Sequence, residues 1–226
     1  ENILMLRRLA ETGVDANISL KLTQLGLSFD EGLAAENLHR IVEEAARLKN
    51  FVRIDMEGSA WTHKTVYVFY GLRGRHPDVG IVLQACLRRT EADVKDAVAR
   101  QARVRLCKGA YKEPASVAFQ AKEDVNANYD RCAALLARAP LPAFATHDDV
   151  RLSAAVAACD AAGLVKSDYE LQMLYGLRVK RWRELREQGH TVRIYVPYGT
   201  HWFPYFYRRT RERKENLLFV LRNLFE

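Results

Sequence analysis

Asn17-Ile18-Ser19-Leu20-Lys21-Leu22 alternates polar and apolar residues with a period of two, and a polar loop then leads into apolar residues at helical spacing from about Gly32 to Leu48. This is a strand followed by a helix. The same order recurs: Phe51–Met56 precedes a helical pattern near Thr62–Leu72, Val79–Leu87 precedes Glu91–Arg100, and Val104–Ala110 precedes Pro114–Ala137. Further strands at Pro142–Thr146, Tyr169–Leu174 and Val192–Pro197 are followed by helices near Asp149–Ala162, Leu177–Gln188 and Pro204–Phe225. Strand and helix in strict alternation, with no low-complexity linker between them, predict an α/β fold in which helices cover a parallel sheet. No GxGxxG follows any strand, so the spacing favours a (βα)8 barrel of the TIM type over two Rossmann halves.

The count is one strand short of a closed barrel. An open barrel has two unpaired edges, which predicts a further strand and helix before Glu1, and Asn2–Thr12, a helix ending at Gly13, begins the chain inside an element. The 226 residues, 49% of them hydrophobic, suffice for one barrel domain spanning 1–226. A net charge of +7 favours an anionic ligand, an acidic surface or nucleic acid without choosing among them. Cys86, Cys107, Cys132 and Cys159 show no CxxC spacing and read as reduced, packed thiols. No apolar run approaches the ~20 residues of a membrane span, and Glu1-Asn2-Ile3 opens neither a signal nor a transit peptide. A soluble or peripheral protein of a reducing compartment is expected.

Hydrogen-bonding residues gather at the carboxyl ends of the strands: Lys21, Asp55 with Glu57, Gln84, Arg105 with Lys108, Thr146 with His147, and Tyr195. In a barrel these ends share one mouth. Lys21, inside an apolar strand, needs an anion when buried, and Asp55 or Glu57 is available as its partner. Gly109 lets a ligand approach the backbone beside Arg105 and Lys108, although both cations also suit structural ion pairs. Thr146-His147 resembles a zinc or acid/base site, but no second His or Cys has metal-ligand spacing, so no metal site is expected in the chain. His39, His63, His76, His190 and His201 read as loop, cap or surface residues.

Near the carboxyl end, Tyr205, Arg208, Arg209 and Glu212 sit at i, i+3, i+4 and i+7 and share one helical stripe. Adjacent guanidiniums repel, so the stripe reads either as a carboxylate clamp or, with Arg211, Arg213, Lys214 and Arg222 beyond it, as a solvated basic face.

Seven motifs occur together and in order: Ile18-Ser19-Leu20-Lys21-Leu22, Arg53-Ile54-Asp55-Met56-Glu57, Val82-Leu83-Gln84-Ala85, Arg105-Leu106-Cys107-Lys108-Gly109-Ala110-Tyr111, Phe144-Ala145-Thr146-His147, Tyr169-Glu170-Leu171-Gln172-Met173-Leu174-Tyr175-Gly176 and Tyr205-Phe206-Tyr207-Arg208-Arg209. With this set the chain resembles bacterial proline dehydrogenase, most closely the monofunctional type. The resemblance implies a distorted (βα)8 barrel that holds FAD noncovalently and lays its last helix over the mouth. It implies that Lys21, Arg208 and Arg209 hold the carboxylate of L-proline, with Glu212 aiming a clamp arginine and Leu174, Tyr195 and Tyr205 shaping the ring pocket. Arg105 would stabilise charge on the reduced flavin, Gln84 would bond the ring edge, and Met56, Lys108, Gly109, Ala110, Thr146 and His147 would contact the rest of the FAD. Asp55 would lie under the substrate and tune it.

The implied reaction gives 1-pyrroline-5-carboxylate and passes electrons to a quinone, in a cytoplasmic protein with a weak peripheral contact to the inner membrane. Pyrroline-5-carboxylate dehydrogenase would be a separate protein, and no nucleic acid is bound. The chain departs from the family pattern in lacking an opening Asp-Leu-Leu-Gly-Glu strand. Two rivals remain at this stage: a Schiff-base lyase using Lys21 or Lys108 as nucleophile, and a non-enzymatic basic module binding nucleic acid or a membrane surface through Arg208–Arg222.

Overall fold

The computed structural model describes residues 1–199; the helix expected at Pro204–Phe225, with Tyr205, Arg208, Arg209 and Glu212, and also His201, lie outside the described residues. The elements are α1 (Asn2–Thr12), β1 (Ile18–Leu20), α2 (Glu31–Arg47), β2 (Val52–Ile54), α3 (Ser59–Arg73), β3 (Val79–Gln84), α4 (Thr90–Ala99), β4 (Arg103–Cys107), α5 (Lys122–Leu136), β5 (Ala143–Ala145), α6 (Asp149–Ala161), β6 (Glu170–Leu174), α7 (Val179–Glu187) and β7 (Val192–Tyr195). Each strand pairs in parallel with the next, in the order β1-β2-β3-β4-β5-β6-β7.

The sheet curls into a barrel wall. If it were flat, β2 and β7 would stand about 24 Å apart, five spacings of ~4.8 Å. Instead the Tyr195 phenol donates to Asp55 Oδ2 at 2.9 Å. The outward strand faces bury Ile18, Leu20, Val52, Ile54, Ile81, Leu83, Val104, Leu106, Phe144 and Leu171 against the helices in one continuous core.

Local chemistry explains the boundaries. Asp30 caps α2, its carboxylate accepting from Leu33 N at 2.6 Å, and Ala34, Leu38, Ile41, Val42 and Ala45 form the buried stripe. Asp148 caps α6 in the same way, accepting from Val150 N at 3.0 Å. The α3 helix begins at Ser59, ahead of the expected Thr62, because Glu113 from the loop after β4 caps it. The Glu113 carboxylate accepts from Ser59 N at 2.7 Å and from the Ser59 hydroxyl.

The strands are all shorter than expected, and for two elements the local cause is plain. The strand expected over Asn17–Leu22 ends at Leu20, where Lys21 turns the chain into a 3-10 helix at Leu22–Leu25. Glu57 fixes that turn by accepting from the Thr23 hydroxyl at 2.6 Å and from Thr23 N at 3.2 Å. The helix expected from Pro114 starts at Lys122, because residues 117–119 bond in extended form to the chain after β3: Arg88 N donates to Val117 O at 2.9 Å and Phe119 N to Cys86 O at 2.8 Å. His190, expected near the surface, is only 9% exposed and its Nδ1 lies 3.2 Å from the Tyr169 hydroxyl. Cys107, Cys132 and Cys159 are thiols outside any disulfide, two of them buried. No helix among the described residues is long and apolar enough to cross a membrane.

Candidate active site

A strand sends alternate side chains to one face, so Ser19 with Lys21, Arg53 with Asp55, and Gln172 with Leu174 point into the barrel. Where these rows meet at the carboxyl ends, Asp55 collects three donors. Its Oδ1 accepts from Arg105 Nη1 at 2.9 Å, while Oδ2 accepts from Lys21 Nζ at 3.0 Å and from the Tyr195 hydroxyl at 2.9 Å. Asp55 and Arg105 are each 7% exposed.

Arg105 is the hub of this network. From β4 it also donates through Nε to Gln172 Oε1 at 2.5 Å and through Nη2 to Ser19 Oγ at 3.0 Å, and its guanidinium lies 5.3 Å from the Tyr195 ring centre. The planar fork of arginine suits this role, since one flat group presents donors in several fixed directions. Gln172 in turn donates to Glu170 at 2.6 Å, which Arg193 also bonds at 2.7 Å. Burial would raise the Glu170 carboxyl, but Arg193 and then Arg53 hold it below the usual range.

The same balance sets the protonation states at the mouth. Burial alone would lower the Lys21 ammonium, yet the charge of Asp55 and its hydrogen bond hold it above the ordinary lysine range. Burial and the Asp55 charge push the Tyr195 phenol up to about 12. Lys21 is therefore a cation and Tyr195 a neutral donor at neutral pH.

The opposite side of the mouth is built by β4, β5 and β6. Lys108 pairs with Asp148 at 2.6 Å, and Asp148 N donates to Thr146 Oγ1 at 3.2 Å. His147 Nε2 accepts from Leu174 N at 3.3 Å, and Arg178 holds the His147 carbonyl at 2.6 Å while reaching Asp149 at 2.7 Å. Burial, then the Arg178 charge, pulls the His147 imidazole down to about 4, so the ring is neutral. With Nε2 accepting, the proton sits on Nδ1, a buried donor with no protein partner among the described residues.

The other expected residues sit at or just beyond the carboxyl ends of their strands, Met56 with its side chain in the hydrophobic core. Gln84 Nε2 donates to Glu57 O at 2.8 Å, Met56 is buried, and Leu174 is half-buried at the end of β6. Ala110 is half-buried just after Gly109. Gly109 has φ +103°, and a Cβ there would lie 2.2 Å from Cys86 Sγ, so the group that crowds this glycine in the fold is the Cys86 side chain. Sequence reading missed Ser19, Gln172 and Arg178. The first two lie two residues from an expected member on the same strand, the period-two signal that would have found them; Arg178 is a loop residue with no such signal.

A curled parallel sheet with its polar groups converging at the carboxyl ends of the strands defines an enzyme domain of the TIM-type α/β barrel class. A family model described as proline dehydrogenase matches residues 5–222. The chain belongs to the proline dehydrogenase family. It is 37% identical over 225 residues to proline dehydrogenase 2 of Bacillus subtilis strain 168, covering 99% of this chain and 74% of that protein. It is 35% identical over 218 residues to the proline dehydrogenase of Deinococcus radiodurans, covering 94% of this chain and 70% of that protein. In fold it is similar to proline utilization A (PutA) from Bdellovibrio bacteriovorus inactivated by N-propargylglycine, with a TM-score of 0.79 and 24% identity over 88% of this chain. The Bradyrhizobium japonicum PutA mutant D779Y gives 0.77 and 21% over the same share. The chain spans 26% and 24% of the lengths of those two proteins.

Proposed function

We propose that this chain oxidises L-proline to 1-pyrroline-5-carboxylate with FAD as cofactor, the first step of proline breakdown, and that a quinone-type carrier takes up the electrons. The observation that carries the reading is the convergence of Lys21, Arg105 and Tyr195 on Asp55 at the barrel mouth of a chain in this family. The reading includes a cytoplasmic protein touching the inner membrane peripherally, and a separate pyrroline-5-carboxylate dehydrogenase.

Lys21 spends one of its N–H groups on Asp55 and has two more to offer a substrate carboxylate, joined in this proposal by Arg208 and Arg209 with Glu212 orienting them. Leu174 and Tyr195, joined in this proposal by Tyr205, would enclose the pyrrolidine ring and exclude water. Asp55 has both oxygens engaged by donors, which suits a residue that fixes Lys21, Arg105 and Tyr195 and lowers the local positive charge more than one that takes a proton as an obligatory base.

The FAD assignment rests on the donor set. A neutral His147 with a protonated, buried Nδ1 needs an acceptor, and a flavin nucleotide is rich in them. Met56, Gln84, Arg105, Lys108, Gly109, Ala110, Thr146 and His147 are the residues that would hold it. Bound FAD supplies the acceptor for the hydrogen and electron pair leaving the ring carbon beside the substrate nitrogen. Arg105 then contributes a fixed positive charge that resists reorganisation.

The Schiff-base alternative is disfavoured by the same electrostatics. A lysine nucleophile must lose its proton, and Lys21 is held protonated while Lys108 is ion-paired. The test is an absorption spectrum of the purified protein followed by anaerobic L-proline. A flavin spectrum that bleaches with L-proline, and no longer does so when Arg208 and Arg209 are changed to Met, is expected. Protein that stays colourless after added FAD, or is trapped on a lysine by borohydride with substrate, overturns the reading.

A further inference from the structure

On the outside of the barrel wall, where α2 packs beside the turn between α3 and β3, His39, Glu43 and His76 come together. One donor atom from each lies within 4.8 Å of the other two. His76 Nε2 is 3.2 Å from His39 Nδ1, and Glu43 Oε1 is 3.2 Å from His39 Nε2. The His39 and His76 rings are 5.1 Å apart between centres and inclined at 59°, so they converge edge to edge without stacking.

We propose that His39, Glu43 and His76 bind a first-row divalent transition metal of the zinc(II) class, clasping α2 to the turn that precedes β3. Two imidazoles and one carboxylate are the ligand types such ions take, with water completing the shell. With Zn–N bonds of about 2.05 Å, a tetrahedral shell sets its donors roughly 3.3 Å apart. The His39–His76 separation of 3.2 Å matches that edge, at the long end of hydrogen-bond range. His39 and Glu43 are one helical turn apart, the spacing that brings two ligands to one face. Glu43 contacts Nε2, the other nitrogen of the His39 ring, so its exposed side chain turns toward Nδ1 to join the ion, whereas both histidines are half-buried on anchored backbone. The His39 backbone sits beside the buried Leu38 and Ile41, and the His76 backbone N–H bonds Leu72 O at 3.2 Å just before Pro77 fixes the chain.

The cluster is separate from the chemistry. His76 precedes the amino end of β3, and the groups around Asp55 gather at the carboxyl ends. The metal's effect is therefore on the stability of the α2–α3 wall. Metal that binds the folded chain but not the unfolded one raises the unfolding midpoint, by an amount that grows with the logarithm of free metal once this exceeds the dissociation constant.

The experiment uses the full chain, freed of any affinity tag and stripped with chelator, titrated with Zn2+ by calorimetry and with Co2+ by visible absorption. Saturable equimolar binding and a Zn2+-dependent rise in the unfolding midpoint are expected. His39→Gln and His76→Gln should each weaken binding more than about tenfold, as even losing a group that only supports a ligand does. Glu43→Gln, a change on an exposed side chain that leaves the fold intact, should weaken binding and reduce the rise in midpoint, with L-proline turnover unchanged. No saturable binding by the parent chain, or equal binding by the parent and Glu43→Gln with either histidine variant, overturns the proposal.

Discussion

The Tyr195 hydroxyl, 140 residues from Asp55 in sequence, hydrogen-bonds the Asp55 carboxylate at 2.9 Å and thereby ties β7 to β2 across the inside of the barrel. Asp55 Oδ2 also receives Lys21, so deleting the phenol leaves no orphaned acceptor. Tyr195→Phe should cost about 1 kcal/mol of stability, the ordinary net worth of one hydrogen bond, read from the urea midpoint. It should raise KM for L-proline more than it lowers kcat, because the ring wall stays and only its anchor is lost.

Removing the carboxylate itself has a larger effect. Asp55→Ala leaves Lys21 and Arg105 facing each other without an anion between them, and breaking a buried pair in this way costs roughly 3–5 kcal/mol. Asp55→Asn keeps the shape and should retain measurable turnover. Turnover abolished at every pH would reinstate Asp55 as an obligatory base.

Gly109 combines a left-handed backbone with a crowded Cβ position. Gly109→Ala should destabilise by roughly 1–3 kcal/mol from overpacking against Cys86 in addition to the φ strain. Adding Cys86→Ala removes the sulfur and should recover part of that loss in a double-mutant cycle, while the strain remains. Strict additivity of the two substitutions would sink the argument.

His147 supplies a pH signature. Burial and the Arg178 charge pull its folded imidazole down to about 4 from the ordinary 6.5, so between these values the unfolded chain binds the extra proton. The contribution is fully present above about pH 6.5 and is lost as the pH falls through about 4. His147→Asn should flatten the urea-midpoint profile relative to the parent over that interval and leave the difference between the two constant above it.

The alternating pattern at Ile18–Leu22 and the strand-helix spacing after it were enough to read the barrel and to put Lys21, Asp55, Arg105 and Tyr195 at its mouth. Period-two alternation is a local property and survives in a single sequence. What was not legible depends on distant partners. The Glu113 cap that starts α3 early and the extended pairing of 117–119 that delays α5 both involve backbone groups satisfied from another loop. The His39–His76 pair likewise joins residues whose neighbourhood only packing creates. The protonation states were hidden too, since they follow from burial set against neighbouring charge.

The Glu113 cap also orders events during synthesis. The first turn of α3 exposes amide groups that its own side chains do not cap, and their partner lies 54 residues downstream. A ribosome must therefore release the third and fourth strands before that helix start is sealed. Until then the first turn of α3 lacks this cap, and a local element waits on a contact of long sequence separation.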